Sequence, residues 1–278
     1  MHPRLPLVLG VCSLLCGCAA SMMFRVKVED LDSSLKLFLG GGGNSTVLLH
    51  GQSDALLVDT KYRMFSRRLR RELEVELARH VRRIVLTHAH SDHAAGLPLY
   101  PSTGAVLVHP NARRRLEAEG IRAPYVEVDR EIRLNLAGEE VHVLSVGSGH
   151  TDGDLVALLP GRKLLVAGDL ITNGVEPYCD PKFGGDILTL ARTWPRLMAL
   201  DFETVVPGHG EPMPRAQVQK LADYLVALEA AVQAARAAGK TEDQTAAEVK
   251  LPEYPLDEVL FVSSREGNVR AMFRALGR

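Results

Sequence analysis

The chain is short of cysteine where a disulfide framework would need it. Of its four cysteines, Cys12, Cys16 and Cys18 crowd the N-terminus, and Cys179 stands alone in the body. No internal pair is available there, and Cys179 is expected to be a small buried apolar residue. An excess of one charge is also missing: 33 Lys and Arg against 34 Asp and Glu give a net charge of −1. That gives no sign of the basic surface a nucleic-acid partner usually requires, and none is expected. The local run Arg67, Arg68, Arg70 and Arg71, interleaved with Leu69 and Leu73, reads as the solvated face of an amphipathic helix. No internal repeat and no low-complexity linker is present. The apolar stretch Leu5 to Leu15 is well short of the ~20 residues that cross a bilayer. What remains is ordinary globular material, 278 residues with 46% apolar and 24% charged, enough for one large α/β domain or two modest ones.

Against that background histidine is concentrated in one place. Thr87-His88-Ala89-His90-Ser91-Asp92-His93-Ala94-Ala95-Gly96 puts three histidines and an aspartate within six residues, directly after Ile84-Val85-Leu86. The apolar run predicts a short buried strand, so the cluster opens the loop that follows it. In extended chain, alternate residues face the same way, and His88 and His90 can share one metal. The chain then turns and directs Asp92 and His93 to a neighbouring position. Imidazole and carboxylate together suit zinc, and iron or manganese is compatible with the same donors. Three further candidates stand just after apolar strands: His150 in SGHTDG, Asp169 in AGDL and His209 in PGHG. Strand ends that meet on one edge of a sheet form a natural ligand site. His2, His50, His80, His109 and His142 match no such position and are given no role.

Strands are expected at 47–49, 55–58 (ending at Asp59), 84–86, 106–108, 141–145, 155–159, 164–167 and 205–206. Phe65, Leu69, Leu73 and Leu77 mark one face of a helix, and Arg113 to Glu119 a second, closed by Gly120. Asp186 is placed to cap a third helix, whose inner face is Ile187, Leu190, Ala191, Trp194 and Leu197. A long helix over Val218 to Ala235 follows and stops at Gly239. Thr241 with Gln244, and Ser263 with Glu266, read as capping boxes, and the last helix buries Val269, Met272, Phe273 and Leu276. Gly40 to Gly43 leads into a strand and lacks the Lys-Ser/Thr ending of a phosphate loop, so a flexible turn is expected there.

At the N-terminus, Leu5 to Leu15 behind Arg4 suits a secretory signal. Leu15-Cys16-Gly17-Cys18 resembles the bacterial lipobox, in which the last cysteine, here Cys18, is lipidated. The expected layout is a signal peptide over 1–18, a main domain over 19–215 that carries the histidine cluster, and a C-terminal helical extension over 216–278 packing on it. The expected location is then the periplasmic side of a bacterial membrane, held by a lipid anchor. A start at Met22 or Met23 would instead leave a cytoplasmic protein.

The ordered set HxHxDH, GHT, GD and PGHG, spread from Asn44 to Glu211, resembles the metallo-β-lactamase superfamily. The resemblance implies an α/β fold, an αββα sandwich with the metals at one edge of its sheets and C-terminal helices added. It implies that His88, His90 and His150 bind the first of two Zn2+ ions, that Asp92, His93 and His209 bind the second, and that Asp169 bridges them. Asp92 would also act in catalysis, orienting a hydroxide held between the metals and accepting its proton. β-Lactamases of the superfamily typically carry Cys or Ser where Asp169 stands, whereas thioesterases, lactonases and phosphodiesterases carry Asp. The segment Leu170 to Tyr178 lacks the Cys-Gly-Arg of hydroxyacylglutathione hydrolase. The expected activity is therefore hydrolysis of an ester-like bond, lactone or thioester, in a small molecule. The alternative is a β-lactamase working in the periplasm, and a second alternative is a non-catalytic metal-binding or redox member of the fold.

Overall fold

The computed structural model describes residues 26–259 and 262–278. The lipobox-like segment with Cys18, and Met22 and Met23, lie outside the described residues. No helix among the described residues is long and apolar enough to cross a membrane.

Two sheets form the centre. The first has seven strands in chain order, β1 (Val26–Asp30), β2 (Leu35–Gly40), β3 (Ser45–His50), β4 (Asp54–Val58), β5 (His80–Val85), β6 (Ala105–Val108) and β7 (Tyr125–Glu127). Strands β1 to β4 are antiparallel hairpin neighbours, and β4 to β7 run parallel. Parallel neighbours need crossovers. These are supplied by α1 (Arg63–Arg71), by the single-turn α2 (Ser91–Ala94) and by α3 (Pro110–Ala118). The second sheet contains β8 (Glu131–Leu136), β9 (Glu139–Leu144), β10 (Val156–Leu159), β11 (Leu164–Thr172), β12 (Thr204–His209) and β13 (Met213–Pro214), in the spatial order β13-β12-β11-β10-β9-β8. Its single parallel pair, β11 and β12, is joined through α4 (Ile187–Met198). The chain closes with α5 (Arg215–Ala237), α6 (Glu242–Glu248) and α7 (Arg265–Ala275).

Three apolar interfaces make this an αββα sandwich. Leu69 of α1, Leu73 in the turn just after it, and Ala112 and Leu116 of α3 pack on the outer face of the first sheet, over Val47, Leu57 and Ile84. Leu37, Leu56, Val85, Val143, Ala157 and Val166 fill the space between the sheets. Leu190, Trp194, Leu221, Leu228 and Met272 of α4, α5 and α7 cover the second sheet. Each fully buried Leu or Val contributes roughly 1.5–3 kcal/mol relative to exposure, so α1, α3, α4, α5 and α7 are held by their apolar faces. Arg67, Arg68 and Arg71 lie on the exposed side of α1, and Cys179 packs partly buried against the second-sheet core.

Several details differ from the sequence reading. The strands β1, β2, β7, β8 and β13 were not expected; β8 reads Glu-Ile-Arg-Leu-Asn-Leu and alternates exposed with half-buried positions. Ser264, not Ser263, caps α7, accepting from Gly267 N at 3.0 Å. The Gly40–Gly43 segment is a turn but not a free one. Lys61, itself fully buried, donates from Nζ to the carbonyls of Phe38, Gly40 and Gly43 at 2.7, 2.6 and 2.7 Å. Asn44 donates to the carbonyls of Pro207 and Gly210 at 3.0 and 2.7 Å, fastening the same turn to the second sheet. A glycine run reads as mobile only when nothing holds its carbonyls. Here Lys61 holds them, and Gly40 N in addition donates to Asn44 Oδ1 at 3.0 Å.

Replacing Lys61 by Met keeps the length of the side chain but strands three buried carbonyls. Burial takes Lys61 down to about 7, so below that pH it is charged; there, hydrogen bonds to charged groups contribute about 1.5–3 kcal/mol each and do not add fully, and Lys61→Met should lower unfolding stability by about 2–4 kcal/mol. Urea unfolding with an unchanged slope would report it; a loss below about 0.5 kcal/mol, the range of neutral surface changes, would contradict the role.

Candidate metal centre

The candidate side chains come from strand ends and loops on one edge of the sandwich. Strand β5 delivers Thr87 and His88, and α2 then starts with His90 as its N-cap, so the chain reverses before Asp92 and His93. His150 lies in the loop between β9 and β10. Asp169 lies within β11, where its ladder with β12 shifts register, and His209 ends β12. Gly208 permits the close approach of the last two strands, since a Cβ there would sit 1.8 Å from Asp169 Oδ1. Gly43 does the same for the fastened turn: a Cβ would lie 2.2 Å from His93 Cε1.

All seven expected residues are brought together, in two sets of candidate ligands. His88, His90, His150 and Asp169 offer ligand atoms within 4.8 Å of one another, and so do Asp92, His93 and His209. His90 Nδ1 stands 3.1 Å from His88 Nε2 and 2.8 Å from His150 Nε2. Asp169 spans the two sets. Its Oδ2 is 3.4 Å from both His150 Nε2 and His209 Nε2, and its Oδ1 is 3.1 Å from His93 Nε2. Asp92 Oδ2 lies 3.1 Å from His209 Nε2.

The other ring nitrogens are occupied, which decides which lone pairs face inward. His150 Nδ1 donates to the carbonyl of Tyr178 at 2.7 Å, and His90 Nε2 donates to Asp180 Oδ2 at 3.1 Å. His93 Nδ1 donates to Asp59 Oδ2 at 2.8 Å. Asp59 also accepts from Thr87 N and Oγ1 at 2.8 and 2.7 Å, and the Thr87 oxygen in turn accepts from His88 Nδ1 at 3.0 Å. One buried carboxylate therefore orients two of the histidines. Asp59 and Asp180 were missed in the sequence. Asp59 follows an apolar strand as Asp169 follows its own, so the same signal was available; Asp180 had none.

The donor atoms fit metal ions. Three histidine nitrogens converge with their outer N–H groups already bound elsewhere. His93 Nε2 and Asp169 Oδ1 are buried and face each other without a hydrogen bond. Both features are expected where lone pairs share a cation. Burial, reinforced by neighbouring histidines, pushes His88 well below the usual imidazole range and takes His150 down to about 4. Burial would lower His93 and His209 too, but the Asp169 and Asp92 carboxylates outweigh it, raising His93 well above the usual range and His209 to about 9. Burial would raise Asp169, yet His209, His93 and His150 hold it well below the usual carboxylate range.

A family model described as the metallo-beta-lactamase superfamily matches residues 39–209. The chain belongs to this superfamily. A metallo-beta-lactamase type 2 of Bacillus cereus is 23% identical over 190 residues, covering 64% of this chain and 72% of that protein. A hydroxyacylglutathione hydrolase of Prochlorococcus marinus (strain MIT 9301) is 30% identical over 129 residues, covering 46% of this chain and 50% of that protein. Among solved structures, a metallo-beta-lactamase from Pontibacter korlensis superposes with a TM-score of 0.65 at 20% identity, covering 72% of this chain and 99% of that one. A double mutant of a sec-alkyl sulfatase reaches a TM-score of 0.74 at 16% identity, covering 90% of this chain and 50% of its own. The structural likenesses establish the shared αββα fold.

The two sets should differ in their proton linkage. Burial favours the neutral forms of His88 and His150, whereas the Asp169 and Asp92 carboxylates favour protonated His93 and His209, and a metal must displace those protons. Zinc uptake at the Asp92, His93 and His209 set should therefore release protons and strengthen as pH rises toward about 9. Calorimetry in buffers of different ionisation enthalpy measures this directly. Binding enthalpies independent of buffer for both ions would contradict it.

Proposed function

We propose that the chain is a dinuclear metal-dependent hydrolase that opens an acyl bond of a small molecule. In this reading His88, His90 and His150 hold one ion, Asp92, His93 and His209 hold the other, and Asp169 lies between them. The supporting observation is that Asp169 faces both donor sets at one edge of the metallo-beta-lactamase superfamily fold. Two Zn2+ fit these donors, with iron or manganese compatible. Such ions, when bound, lower the pKa of a water to about 7 and polarise a carbonyl.

The chain's own residues define the rest. His88, His93 and His150 are buried, whereas His209 is 34%, Asp92 17% and His90 15% exposed at their side chains, so the opening lies over these three, widest at His209. Asp92 is placed to orient the attacking water and take its proton. Tyr62, 40% exposed, adjoins Asp92 across Gly42, and Phe183 stands edge-on to His90 at 4.4 Å. These two rings give the opening apolar flanks that suit an uncharged part of a substrate.

For the bond itself, the relatives favour the β-lactam alternative over the lactone or thioester expected from sequence. The Bacillus cereus enzyme matches 64% of the chain, against 46% for the hydroxyacylglutathione hydrolase. Export, inferred from Leu5 to Cys18, would place the protein where β-lactams are met. A β-lactam amide is accordingly the first reading. An ester-like carbonyl is the second, and Asp169 is its support: a further negative donor weakens the electrophile and suits thiolate or alkoxide leaving groups. Values of kcat/KM on β-lactam, lactone and thioester substrates at equal metal content separate the two. The first reading predicts the highest value for a β-lactam; a lactone or thioester ahead of it would install the second, and no turnover of any class would remove both. Asp92→Asn should lower kcat by about 10²–10⁴, the usual contribution of a general base. Unchanged turnover would take the proton transfer away from Asp92.

A further inference from the structure

Two groups that orient the histidines from behind, the Tyr178 carbonyl and the Asp180 carboxylate, belong to one loop, residues 173–186, between β11 and α4. That loop is held by an acid the reaction does not use. Glu176 is 1% exposed, and its carboxylate receives three donors from the C-terminal third of the chain. Tyr224 Oη on α5 donates to Oε2 at 2.5 Å, Asn268 Nδ2 on α7 donates to Oε2 at 3.0 Å, and Arg265 Nε donates to Oε1 at 2.5 Å.

The cluster extends outward. Arg265 stacks over the Tyr224 ring at 4.8 Å and gives its remaining N–H groups to the carbonyls of Lys250, Leu251 and Tyr254. Asn268 Nδ2 also donates to the Pro177 carbonyl at 3.0 Å, one residue before Tyr178. A bridge between Val175 and Asp257 adds Glu176 N to Asp257 O and Asp257 N to Gly174 O, each at 2.9 Å. The loop backbone is thus gripped on both sides of Glu176, directly ahead of the two groups that touch His150 and His90.

A buried ion pair is a poor source of net stability, because desolvation offsets its attraction and apolar residues of similar volume pack as well. Its directional bonds do specify position. We propose that Glu176 is a positioning residue. Through Arg265, Tyr224 and Asn268, the C-terminal helices set the Tyr178 carbonyl and the Asp180 carboxylate, and with them the orientation of His150 and His90. The proposal rests on reading the histidine cluster as a metal centre, and it assigns the Glu176 cluster to the half that holds His90 and His150; the other half meets α5 separately, where Gln217 Nε2 donates to Asn173 Oδ1 at 2.7 Å and Asn173 N to the His209 carbonyl at 3.0 Å. Asp59 orients His93 directly and His88 through Thr87, with Gly43 packed beside His93.

Zinc affinity in the full chain, measured by competition with a chromophoric chelator, tests this selectivity. In a His209→Ala background, which leaves the three-histidine set intact, Glu176→Gln and Tyr224→Phe should each weaken zinc binding about tenfold or more, as losses of outer-sphere partners do. In a His90→Ala background the same substitutions should leave the affinity unchanged. Tyr224→Phe keeps the ring and its packing, and it carries the test if Glu176→Gln does not fold. Equal losses in both backgrounds, or none in either, would show Glu176 to be core packing and overturn the proposal alone. An unsubstituted chain that takes up no zinc would overturn the metal centre and this proposal with it.

Discussion

The site depends on one buried carboxylate held between two groups of imidazoles. Asp169 touches nitrogens from His150, His93 and His209, which arrive on three separate segments, within 3.1 to 3.4 Å. Two cations a few ångströms apart repel strongly at the low effective dielectric of such a place. A shared anion reduces that repulsion, and here it sits where the register of β11 against β12 shifts. The histidines in turn hold Asp169 ionised against the cost of burial. In the absence of metal the same carboxylate favours the protonated forms of His93 and His209, and a bound cation takes the place of those protons.

Around this centre, buried polar groups act as fasteners rather than as chemistry. Asp59 aligns His93 directly and His88 through Thr87, while Lys61 and Asn44 pin the turn that packs beside His93. These groups find their partners inside the protein, the condition under which buried polar residues specify one geometry instead of costing stability. The apolar layers fix the strands, and the fasteners fix the loops between them. A site at strand ends needs both, because its ligands project from loops that the layers do not themselves restrain.

The candidate centre was legible in the sequence to a large extent, and for a physical reason. Residue types able to bind a metal are few, and these candidates each come after an apolar run, so position and chemistry coincide in the string. The central strands and the amphipathic helices were legible by period. What escaped were the edge strands and the supports. Strand β1 is half exposed, and β8 alternates around charged residues, so neither stands out by hydrophobicity. Lys61, fully buried, contradicts the expectation for a lysine, and only the three carbonyls above it explain its place. Glu176 and Arg265 are 89 residues apart, a pairing that no local pattern encodes.

The central claim is that two ions share Asp169. Anomalous diffraction from crystals of the zinc-loaded chain tests it most directly. The account predicts two peaks about 3.5–4 Å apart, one among His88, His90 and His150 and one among Asp92, His93 and His209, with the Asp169 carboxylate between them. A single peak at full zinc loading, or two peaks that leave Asp169 uncoordinated, would contradict it.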